Sequence, residues 1–433
     1  MIKKLLRKIL PESAILASHK VRGVAAAYIY GFPAKKMIII GVTGTKGKTT
    51  TAHLIARIIQ AAGYKVGMLS TVMFKIADKE WPNETNMGTL PPFQLQQLLK
   101  QMAEAGCQYA VVETTSHSLA QWRTFGIDYH VSVFTNLTHD HLDYHKTFAD
   151  YREAKGKMFA NHPNLSIVNI DDKNSSYFYR FPADKKLTFG IEHRAHITAK
   201  KITFDAMATQ SSFILVAPKG EIQINSTLPG RFNVYNMLGA ATVGVGLGIP
   251  LPTIKEAIES LESVKGRMER IDEGQDFTVI VDYAHTPDSF EKIYETLRPA
   301  TTGKIIHVFG ATGDRDKTKR PIMGAIAGRN ADVVILTDEE PYTEDSAKII
   351  EEIARGVPRG ANKNHPMTEG QNFLTISDRR EAIRRALELA KKGDVVLVSG
   401  MGALTHRVVG SAHVPWADQE VVKEELKVLA KSK

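Results

Sequence analysis

Short runs of apolar, mostly β-branched residues alternate along the first half of the chain with longer stretches in which apolar residues recur at helical spacing. Residues 37–42 form one such run and predict a buried strand, and residues 49–62 predict the helix that follows it. The same pattern predicts strands over 109–113, 131–136 and 166–170. Strands and helices in alternation are typical of an α/β fold with a parallel sheet.

The pattern changes over residues 187–228, which are rich in β-forming residues but lack helical periodicity, and it restarts near 264–270. Further strands are predicted over 277–282, 304–310, 332–338 and 394–400. A chain of 433 residues is too long for one ordinary core. We therefore predict a short N-terminal appendage (1–36), a P-loop-type central domain with a mainly parallel sheet (37–263), and a smaller doubly wound, Rossmann-like domain (264–433).

A glycine-rich segment, GVTGTKGKTT at 41–50, lies between the first predicted strand and its helix. Glycine lets the backbone wrap closely around a phosphate, and the helix points its free N–H groups and positive dipole end at it. The spacing departs from the strict Walker form, because Val42 stands at the usual first glycine position. Such loops occur in motors, kinases, GTPases and ligases, so the loop alone does not choose among them. The residues predicted to bind the nucleotide here are Gly44, Thr45, Lys46, Gly47, Lys48, Thr49 and Thr50.

Glu113 ends the predicted strand over 109–113. Open α/β sheets bind ligands at the carboxyl ends of their strands, so Glu113 is a candidate ligand of the nucleotide's Mg²⁺, as is the Thr49 hydroxyl. The alternative is an acid that merely stabilises a helix N-terminus.

The segment TNLTHDHLDYH at 135–145 contains three histidines and Asp143, which suggests zinc. Tyr144 interrupts the metallohydrolase pattern before His145, and a solvated turn is the alternative. We expect one or two of these histidines to act, and no zinc cage. Lys155 and Lys157 follow on a predicted helix, where lysines are usually solvated.

The chain carries a formal charge of +9, with Lys and Arg spread along it, and it has no nucleic-acid-reading motif. Phosphorylated small molecules therefore fit the charge better than nucleic acid. The single cysteine, Cys107, excludes an internal disulfide framework and suits a reducing cytoplasm. There is no apolar run of membrane-spanning length. The basic, amphipathic start of the chain predicts a docking or surface helix and no stable membrane insertion.

Eight segments taken in order resemble the Mur ligase family: GVTGTKGKTT, ETTSH, TNLTHDHLDYH, YREAK, GRFNVYN, GRMER, DYAHTPD and GDRDKTKRP. The resemblance runs from about residue 37 to the C-terminus. Each motif alone is weak, but the ordered set is specific. The last two motifs most resemble the branch of the family that adds the third amino acid of the peptidoglycan stem peptide.

The resemblance implies roles for matching residues. Lys48, Glu113, His141 and Lys155 would be catalytic, with Lys155 carbamylated and helping Thr49, Glu113 and His141 to hold Mg²⁺. Further nucleotide contacts would come from Asn236, Arg267, Asp282 and His285. The residues implied to contact the substrates are Thr89, Thr115, Gln121, Arg123, Arg315, Glu339 and Glu340.

The activity implied is an ATP-dependent, ADP-forming ligase that adds an amino acid to UDP-N-acetylmuramoyl-L-Ala-D-Glu through an acyl-phosphate. Its cofactors would be ATP and Mg²⁺, its substrates a nucleotide-sugar peptide and a free amino acid, and its form a cytoplasmic monomer. Two alternatives stay open: a ligase of the same superfamily acting on a folate or poly-amino acid, and a nucleotide-binding homologue without catalysis.

Three segments depart from the family pattern. Only 36 residues precede the first predicted strand, too few for the family's uridine-binding domain, so the sugar and peptide parts would carry most of the recognition. A DNPR motif that selects diaminopimelate is replaced by Glu339, Glu340, Pro341 and Tyr342, and the glutamate of G-K-G-H-E by Leu404. These changes favour a cationic substrate side chain such as lysine or ornithine, unless the two glutamates only cap a helix. In the loop NMGTLPP only Thr89 matches.

Overall fold

The computed structural model describes residues 12–205, 209–360 and 366–432. The chain divides into two compact units. Among the described residues, the first comprises 12–202, Phe213–Ile224 and Asn233–Leu261, and the second comprises the rest. The predicted α/β class is confirmed. The division into two units does not test the domain limits predicted at 36/37 and 263/264, which stay a prediction.

An eight-stranded sheet forms the centre of the first unit, in the order β4-β3-β2-β5-β1-β6-β7-β8. Its strands are β1 (Ile38–Thr43), β2 (Val66–Leu69), β3 (Met73–Ile76), β4 (Lys79–Pro82), β5 (Tyr109–Glu113), β6 (Val131–Phe134), β7 (Leu165–Asn169) and β8 (Lys185–Phe189). The strands pair in parallel except for β3 and β4, which form an antiparallel edge. The carboxyl ends of β1, β5 and β6 therefore meet at one edge of the sheet.

The helices of the first unit are α1 (Glu12–Tyr30), α2 (Lys48–Ala61), α3 (Pro92–Glu104), α4 (Ser116–Ala120), α5 (Leu142–His145), α6 (Phe148–Ala160), α7 (Ser175–Tyr179), α8 (Arg231–Gly246) from its third residue onward, and α9 (Leu251–Glu259). Gly41 shows how tightly α6 packs on β1. A Cβ at this glycine would lie 2.4 Å from the Tyr129 ring and 2.7 Å from the Met158 sulfur. Since β1 leads directly into the glycine-rich loop, this contact fixes the start of that loop against α6.

A three-stranded sheet, in the order β11-β10-β9, follows the large sheet in the chain. Its strands are β9 (Thr198–Phe204), β10 (Ser211–Ala217) and β11 (Gly220–Ser226). They account for most of the stretch over 187–228 that was predicted to be rich in strands.

A six-stranded sheet in the order β12-β13-β17-β14-β15-β16 forms the core of the second unit. All pairs are parallel except that of β12 with β13. Alternate residues of β13 face opposite sides: Val279 and Val281 join one buried cluster with Ile383, and Ile280 joins another with Phe290. Helices thus cover both faces, which confirms the doubly wound prediction.

The strands of this unit are β12 (Glu269–Ile271), β13 (Thr278–Asp282), β14 (Ile305–Phe309), β15 (Val333–Leu336), β16 (Phe373–Thr375), β17 (Val395–Ser399) and a hairpin of β18 (His406–Val409) and β19 (Ala412–Pro415). Its helices are α10 (Pro287–Ala300), α11 (Lys319–Asn330), α12 (Ser346–Ala354), α13 (Val357–Gly360), α14 (Arg379–Leu389) and α15 (Asp418–Ser432). No helix in the described part of the chain is long and apolar enough to span a bilayer.

Candidate functional site

The glycine-rich loop joins the end of β1 to the start of α2. Nearby atoms leave no room for a side chain at its two glycines. Gly44 and Gly47 have φ values of 153° and 81°. A Cβ at Gly44 would lie 1.9 Å from the Thr135 hydroxyl oxygen, and one at Gly47 would lie 2.2 Å from Oδ1 of Asn236. Neither position accepts a side chain, so the backbone stays open for a phosphate to approach.

The segment after β6 holds this loop in place. The Asn136 carbonyl accepts a hydrogen bond from the Thr45 amide at 2.8 Å, and its side-chain oxygen accepts one from the Lys46 amide at 2.9 Å. The Thr135 hydroxyl and the Asn136 amide group donate to the Lys46 carbonyl. The first half of TNLTHDHLDYH is therefore a support for the loop, a role that the sequence did not indicate for Asn136.

Lys48 begins α2 and folds back over the loop, where its ammonium donates to the carbonyls of Gly44 at 3.1 Å and Thr45 at 2.9 Å. The neighbouring Thr49 hydroxyl donates to Oε2 of Glu113 at 3.0 Å. The same carboxylate oxygen accepts from the Thr71 amide at 2.8 Å. Glu113 is buried at the end of β5, so Thr49 in the first turn of α2 and the end of one strand form an oxygen pair beside the phosphate loop.

Lys155 is fully buried on α6 and donates to the Gly44 carbonyl at 2.7 Å. Its nitrogen lies 4.6 Å from the centre of the Tyr151 ring, and the Tyr151 hydroxyl lies 3.1 Å from Oγ1 of Thr45. Burial lowers the pKa of Lys155 well below its usual range, and the charge of Lys48 lowers it further. The lysine that sequence alone would place in solvent is thus a buried amine held against the phosphate loop.

Histidine rings surround this lysine's neighbour Tyr151. The rings of His141 and His145 lie 6.0 Å and 5.3 Å from it, and His117 lies 4.9 Å from His141. Burial lowers the pKa of His117 to about 3 and that of His145 to about 4, so both are neutral near pH 7. The His145 ring is paired with the Ser116 hydroxyl at 2.9 Å.

His139 is exposed, as expected for a solvated turn, and the side chain of Asp143 lies outside the described residues. Within the described chain no three His, Cys, Asp or Glu side chains are grouped to hold a metal ion. Thr49 and Glu113 are oxygen donors beside a phosphate loop, and such donors fit Mg²⁺. His141 and a carboxylated Lys155 would complete the predicted ligand set.

Four residues predicted to contact the substrate lie together next to Glu113. The Thr89 hydroxyl donates to the Glu113 carbonyl at 2.9 Å and lies 3.2 Å from the Thr115 hydroxyl. Arg123 donates to the Thr89 carbonyl at 2.9 Å and, through Nε, to the Gln121 side chain at 2.9 Å. Thr115 also caps α4 by accepting from the Ser118 amide. These contacts make one polar wall at the carboxyl end of β5.

On α8, Asn236 reaches the same loop. Its Oδ1 accepts from the Thr51 hydroxyl at 3.4 Å, and its Nδ2 donates to Asn233 at 3.0 Å. Thr50 is buried at the start of α2. The structure therefore brings together all the residues of the first unit that the sequence predicted to bind nucleotide.

The second unit holds the other predicted nucleotide contacts. Asp282 ends β13, and its carboxylate accepts from the Met268 amide at 2.7 Å and the Ala284 amide at 2.6 Å. The Arg267 guanidinium lies 4.5 Å from the Tyr283 ring, which in turn lies 4.6 Å from the His285 ring. The Asp282 carboxylate thus holds the backbone segments next to Arg267 and His285, and both of these side chains lie near the ring of Tyr283.

Lys319 was not predicted, and it donates to the His285 carbonyl at 2.8 Å. It belongs to the GDRDKTKRP segment at the start of α11. A lysine in a basic run gives no signal of its own, because most such lysines are solvated.

Glu339 and Glu340 follow β15 and are both buried. Oε1 of Glu339 accepts from the Thr312 hydroxyl at 2.7 Å, whereas its Oε2 has no hydrogen-bond partner among the described residues. Burial raises the pKa of Glu339, and burial together with the charge of Glu339 raises the pKa of Glu340 to about 7. Gly400, with φ of 109°, passes so close that a Cβ there would lie 2.1 Å from Oε2.

The alternative that these glutamates cap a helix is wrong, because the next helix, α12, is capped by the Asp345 side chain. Leu404 is also buried in this unit. The Arg315 guanidinium lies 5.5 Å from the ring of Tyr342, the residue that replaces the motif arginine. Arg315 and the two glutamates are therefore carried by neighbouring loops at the carboxyl ends of β14 and β15.

Comparisons with known proteins identify the family of the chain. A family model described as the Mur ligase middle domain matches residues 42–244, and one described as the Mur ligase glutamate ligase domain matches 266–402. A Bacillus velezensis protein named UDP-N-acetylmuramoyl-L-alanyl-D-glutamate--2,6-diaminopimelate ligase is 43% identical over 95% of this chain and 82% of its own length. A Roseiflexus protein named UDP-N-acetylmuramyl-tripeptide synthetase is 41% identical over 93% of this chain and 81% of its own length.

Solved structures show the same fold. A solved structure of a UDP-N-acetylmuramoyl-L-alanyl-D-glutamate--2,6-diaminopimelate ligase matches with a TM-score of 0.62 and 31% identity, over 91% of this chain and 79% of that one. A Mycobacterium tuberculosis folylpolyglutamate synthase matches with a TM-score of 0.72 over 94% of both chains, but at 16% identity it shows the fold alone. The phosphate loop, the residues around it and these matches agree, and the chain belongs to the Mur ligase family of ATP-dependent ligases.

Proposed function

We propose that this protein adds an amino acid to UDP-N-acetylmuramoyl-L-alanyl-D-glutamate, with ATP converted to ADP and phosphate, in the synthesis of peptidoglycan precursors for the cell wall. The observation that carries the proposal is the contact of Lys155 with the Gly44 carbonyl. It places a buried amine against a phosphate loop that also holds Lys48, Thr49 and Glu113. Relatives with the diaminopimelate-ligase name cover nearly the whole chain, which supports the choice of acid substrate.

The phosphate loop would bind ATP through its backbone amides and the N-terminus of α2. The Lys48 ammonium would exchange its hydrogen bonds to the loop carbonyls for bonds to the β- and γ-phosphates, because a phosphate is a stronger partner for ammonium than a neutral carbonyl. Thr49 and Glu113 are the residues that would hold Mg²⁺ here. Bound Mg²⁺ supplies positive charge that offsets the charge on the transferred phosphoryl oxygens.

Lys155 would act after carboxylation. A lowered pKa raises the share of the uncharged amine. The nitrogen of that amine can attack CO₂ and form an N–C bond, while one C–O π bond opens onto oxygen and a proton is released to solvent. The product carbamate carries a negative charge at the end of a buried side chain. That charge suits a site beside Lys46 and Lys48, and it would let Lys155 serve as a ligand of Mg²⁺.

The reaction would proceed in two steps. An oxygen of the substrate carboxylate attacks the γ-phosphorus, the bond to the bridging oxygen of ADP breaks, and an acyl-phosphate forms. The amino acid's uncharged amine then attacks the acyl carbon, phosphate leaves with the electron pair of the C–O bond, and the nitrogen releases a proton to solvent. The wall made by Thr89, Thr115, Gln121 and Arg123 would orient the nucleotide-sugar peptide for the first step.

The amino acid would carry a cationic side chain without a second carboxylate, as lysine and ornithine do. The unpartnered Oε2 of Glu339 and the raised pKa of Glu340 mark a buried acidic position that an ammonium group would satisfy. Arg315 remains as the candidate partner of the α-carboxylate. ADP release with L-lysine, L-ornithine and meso-diaminopimelate tests this, and a higher kcat/KM for diaminopimelate would refute it.

The activity itself is tested by ADP release from purified protein with UDP-N-acetylmuramoyl-L-Ala-D-Glu, ATP, Mg²⁺ and each amino acid in turn. Release that requires both acid and amine supports the proposal. Release with a folate or poly-amino acid instead would support the superfamily alternative, and no release with any pair would favour a non-catalytic nucleotide-binding homologue. Because the reaction consumes ATP, we place it in the cytoplasm, and a monomer stays our prediction.

A further inference from the structure

Helix α1 is apolar on two sides. Its inner side packs on the first unit through Gly23, Ala26 and Ala27, all buried. A Cβ at Gly23 would lie 2.2 Å from the Trp122 carbonyl oxygen, so this contact is tight. The inner side therefore attaches the helix to the first unit through close backbone packing.

The outer side of α1 is apolar as well. Val21 is 66% exposed, and Tyr28 and Ile29 are each 69% exposed. Together with the half-buried Ala25 they follow the spacing i, i+4, i+7 and i+8, which places them on one stripe of the helix. An exposed apolar stripe of this kind on a surface helix is typical of a site that binds a partner or a membrane.

Basic residues border the stripe. Lys20 and Arg22 lie on its two sides, both exposed, and the Lys20 ammonium lies 4.9 Å from the ring of the partly exposed Trp122. Apolar side chains flanked by Lys, Arg, Tyr and Trp are typical of helices that lie in the head-group region of a bilayer.

The charge of the chain is concentrated at this end. Although Lys and Arg are spread along the sequence, residues 1–36 contain eight of them and a single acid, Glu12. No Asp or Glu then occurs until Asp78. Seven of the nine excess positive charges of the chain therefore belong to the segment that carries α1, and an anionic surface would attract it.

We propose that the protein docks on the surface of anionic phospholipid bilayers through the outer stripe of α1, without crossing the membrane. A second copy paired with its α1 parallel fits this stripe less well, because Lys20 and Arg22 of the two copies would then lie together. A nucleic acid fits less well too, since the centre of the stripe is apolar and phosphate contacts need cations there. The proposal stands apart from the proposed function, because membrane docking needs neither ATP nor turnover.

Vesicle flotation tests the proposal with the full chain. Vesicles of phosphatidylcholine are compared with vesicles that also contain phosphatidylglycerol, each at about 0.1 M and about 0.5 M NaCl, which shortens the Debye length roughly twofold. We expect the protein to float with the anionic vesicles at low salt and to be released at high salt. Absence from both kinds of vesicle, or equal binding to both, would overturn the proposal.

Matched variants locate the contact. Val21→Glu with Tyr28→Glu should abolish flotation, whereas Ile322→Glu with Val428→Glu adds the same charges at exposed apolar positions of the second unit and should leave flotation intact. Lys20→Gln with Arg22→Gln should weaken binding by about 25-fold, roughly fivefold per lost charge. Lys219→Gln with Lys391→Gln, both exposed elsewhere, should weaken it far less. An equal loss of vesicle flotation in a double variant and in its control would contradict docking by α1. A change from dimer to monomer in the Val21/Tyr28 variant, with no change in flotation, would contradict it too.

Discussion

Lys155 donates a 2.7 Å hydrogen bond to the carbonyl of Gly44, which joins a buried lysine of α6 to the phosphate loop. The same carbonyl accepts from Lys48 at 3.1 Å. Two ammonium groups on one carbonyl repel each other, and burial adds to the cost of charging Lys155. Burial and the charge of Lys48 therefore shift Lys155 toward the uncharged amine.

Lys155→Ala should lower the rate of ADP-forming ligation by about 10²- to 10³-fold, because the carbamate that would hold Mg²⁺ beside the transferred phosphoryl group is lost. Lys157→Ala, an exposed lysine two residues along α6, should leave the rate unchanged. Removing bicarbonate and CO₂ from the buffer should slow the unaltered enzyme as well. Full activity of Lys155→Ala would refute its assigned role.

Tyr151→Phe removes the hydroxyl that lies 3.1 Å from Oγ1 of Thr45 but keeps the ring beside Lys155. One lost hydrogen bond to the phosphate loop should raise the KM for ATP by about two- to tenfold, with a smaller change in kcat. Tyr144→Phe, at a partly exposed ring nearby, is the control and should change neither constant. A fall in kcat with an unchanged KM would show that the hydroxyl does not act through the loop.

Glu340→Gln should change the pH dependence of amino-acid binding. With a pKa near 7, Glu340 is uncharged below that pH and ionised above it, so the KM for lysine should fall as pH rises through 7. The variant should lose this pH dependence and bind lysine about tenfold or more weakly at pH 8, since a buried charge pair is removed. Glu351→Gln, on the exposed side of α12, should behave like the unaltered protein. A KM for lysine that rises with pH would contradict the acidic subsite.

His307 should make the fold sensitive to acid. It lies within the second sheet, where Nδ1 is 2.7 Å from the Tyr294 hydroxyl and Nε2 is 2.8 Å from the Ser399 hydroxyl, and burial lowers its pKa to about 3. A histidine in the unfolded chain has a pKa near 6.5, so as the pH falls the unfolded chain binds a proton at His307 before the folded protein does. The free energy of unfolding should therefore fall as pH drops below about 6.5, by up to about 1.4 kcal/mol per pH unit until about pH 3.

Urea unfolding at pH 7 and pH 5 measures this effect. His307→Gln should be less stable than the unaltered protein at pH 7 but should lose about 2 kcal/mol less on the shift to pH 5. His162→Gln, at an exposed histidine, should show the unaltered pH dependence. Identical pH dependence of the His307 variant would mean that another buried histidine dominates.

Much of the fold follows from the sequence because buried parallel strands are continuous apolar runs. The strand predicted over 109–113 is found unchanged, and that over 37–42 is found as Ile38–Thr43. The edge strands β3 and β4 were not predicted, because they are only four residues long and mix charged with apolar residues. Short edge strands depend on pairing with a neighbour, which local pattern does not reveal.

Site residues could be predicted where a local motif indicates their chemistry. They could not be predicted where their role depends on contacts made only in the folded chain. The loop glycines, Lys48 and Glu113 were found from local pattern alone. Asn136 and Tyr151 were missed because their roles come from contacts with Thr45 and Lys46, about ninety or more residues earlier in the chain. The burial of Glu339 was also missed, since a glutamate in a loop is ordinarily solvated.

An isotope-transfer experiment tests the central claim most directly. The enzyme is given ATP, the amino acid and UDP-N-acetylmuramoyl-L-Ala-D-Glu whose free glutamyl carboxylates carry a heavy oxygen isotope, and the released phosphate is analysed by mass spectrometry. Formation of an acyl-phosphate predicts one heavy oxygen in each phosphate released, matched by one new amide bond. Tripeptide formed with unlabelled phosphate, or phosphate released without any amide product, would contradict it.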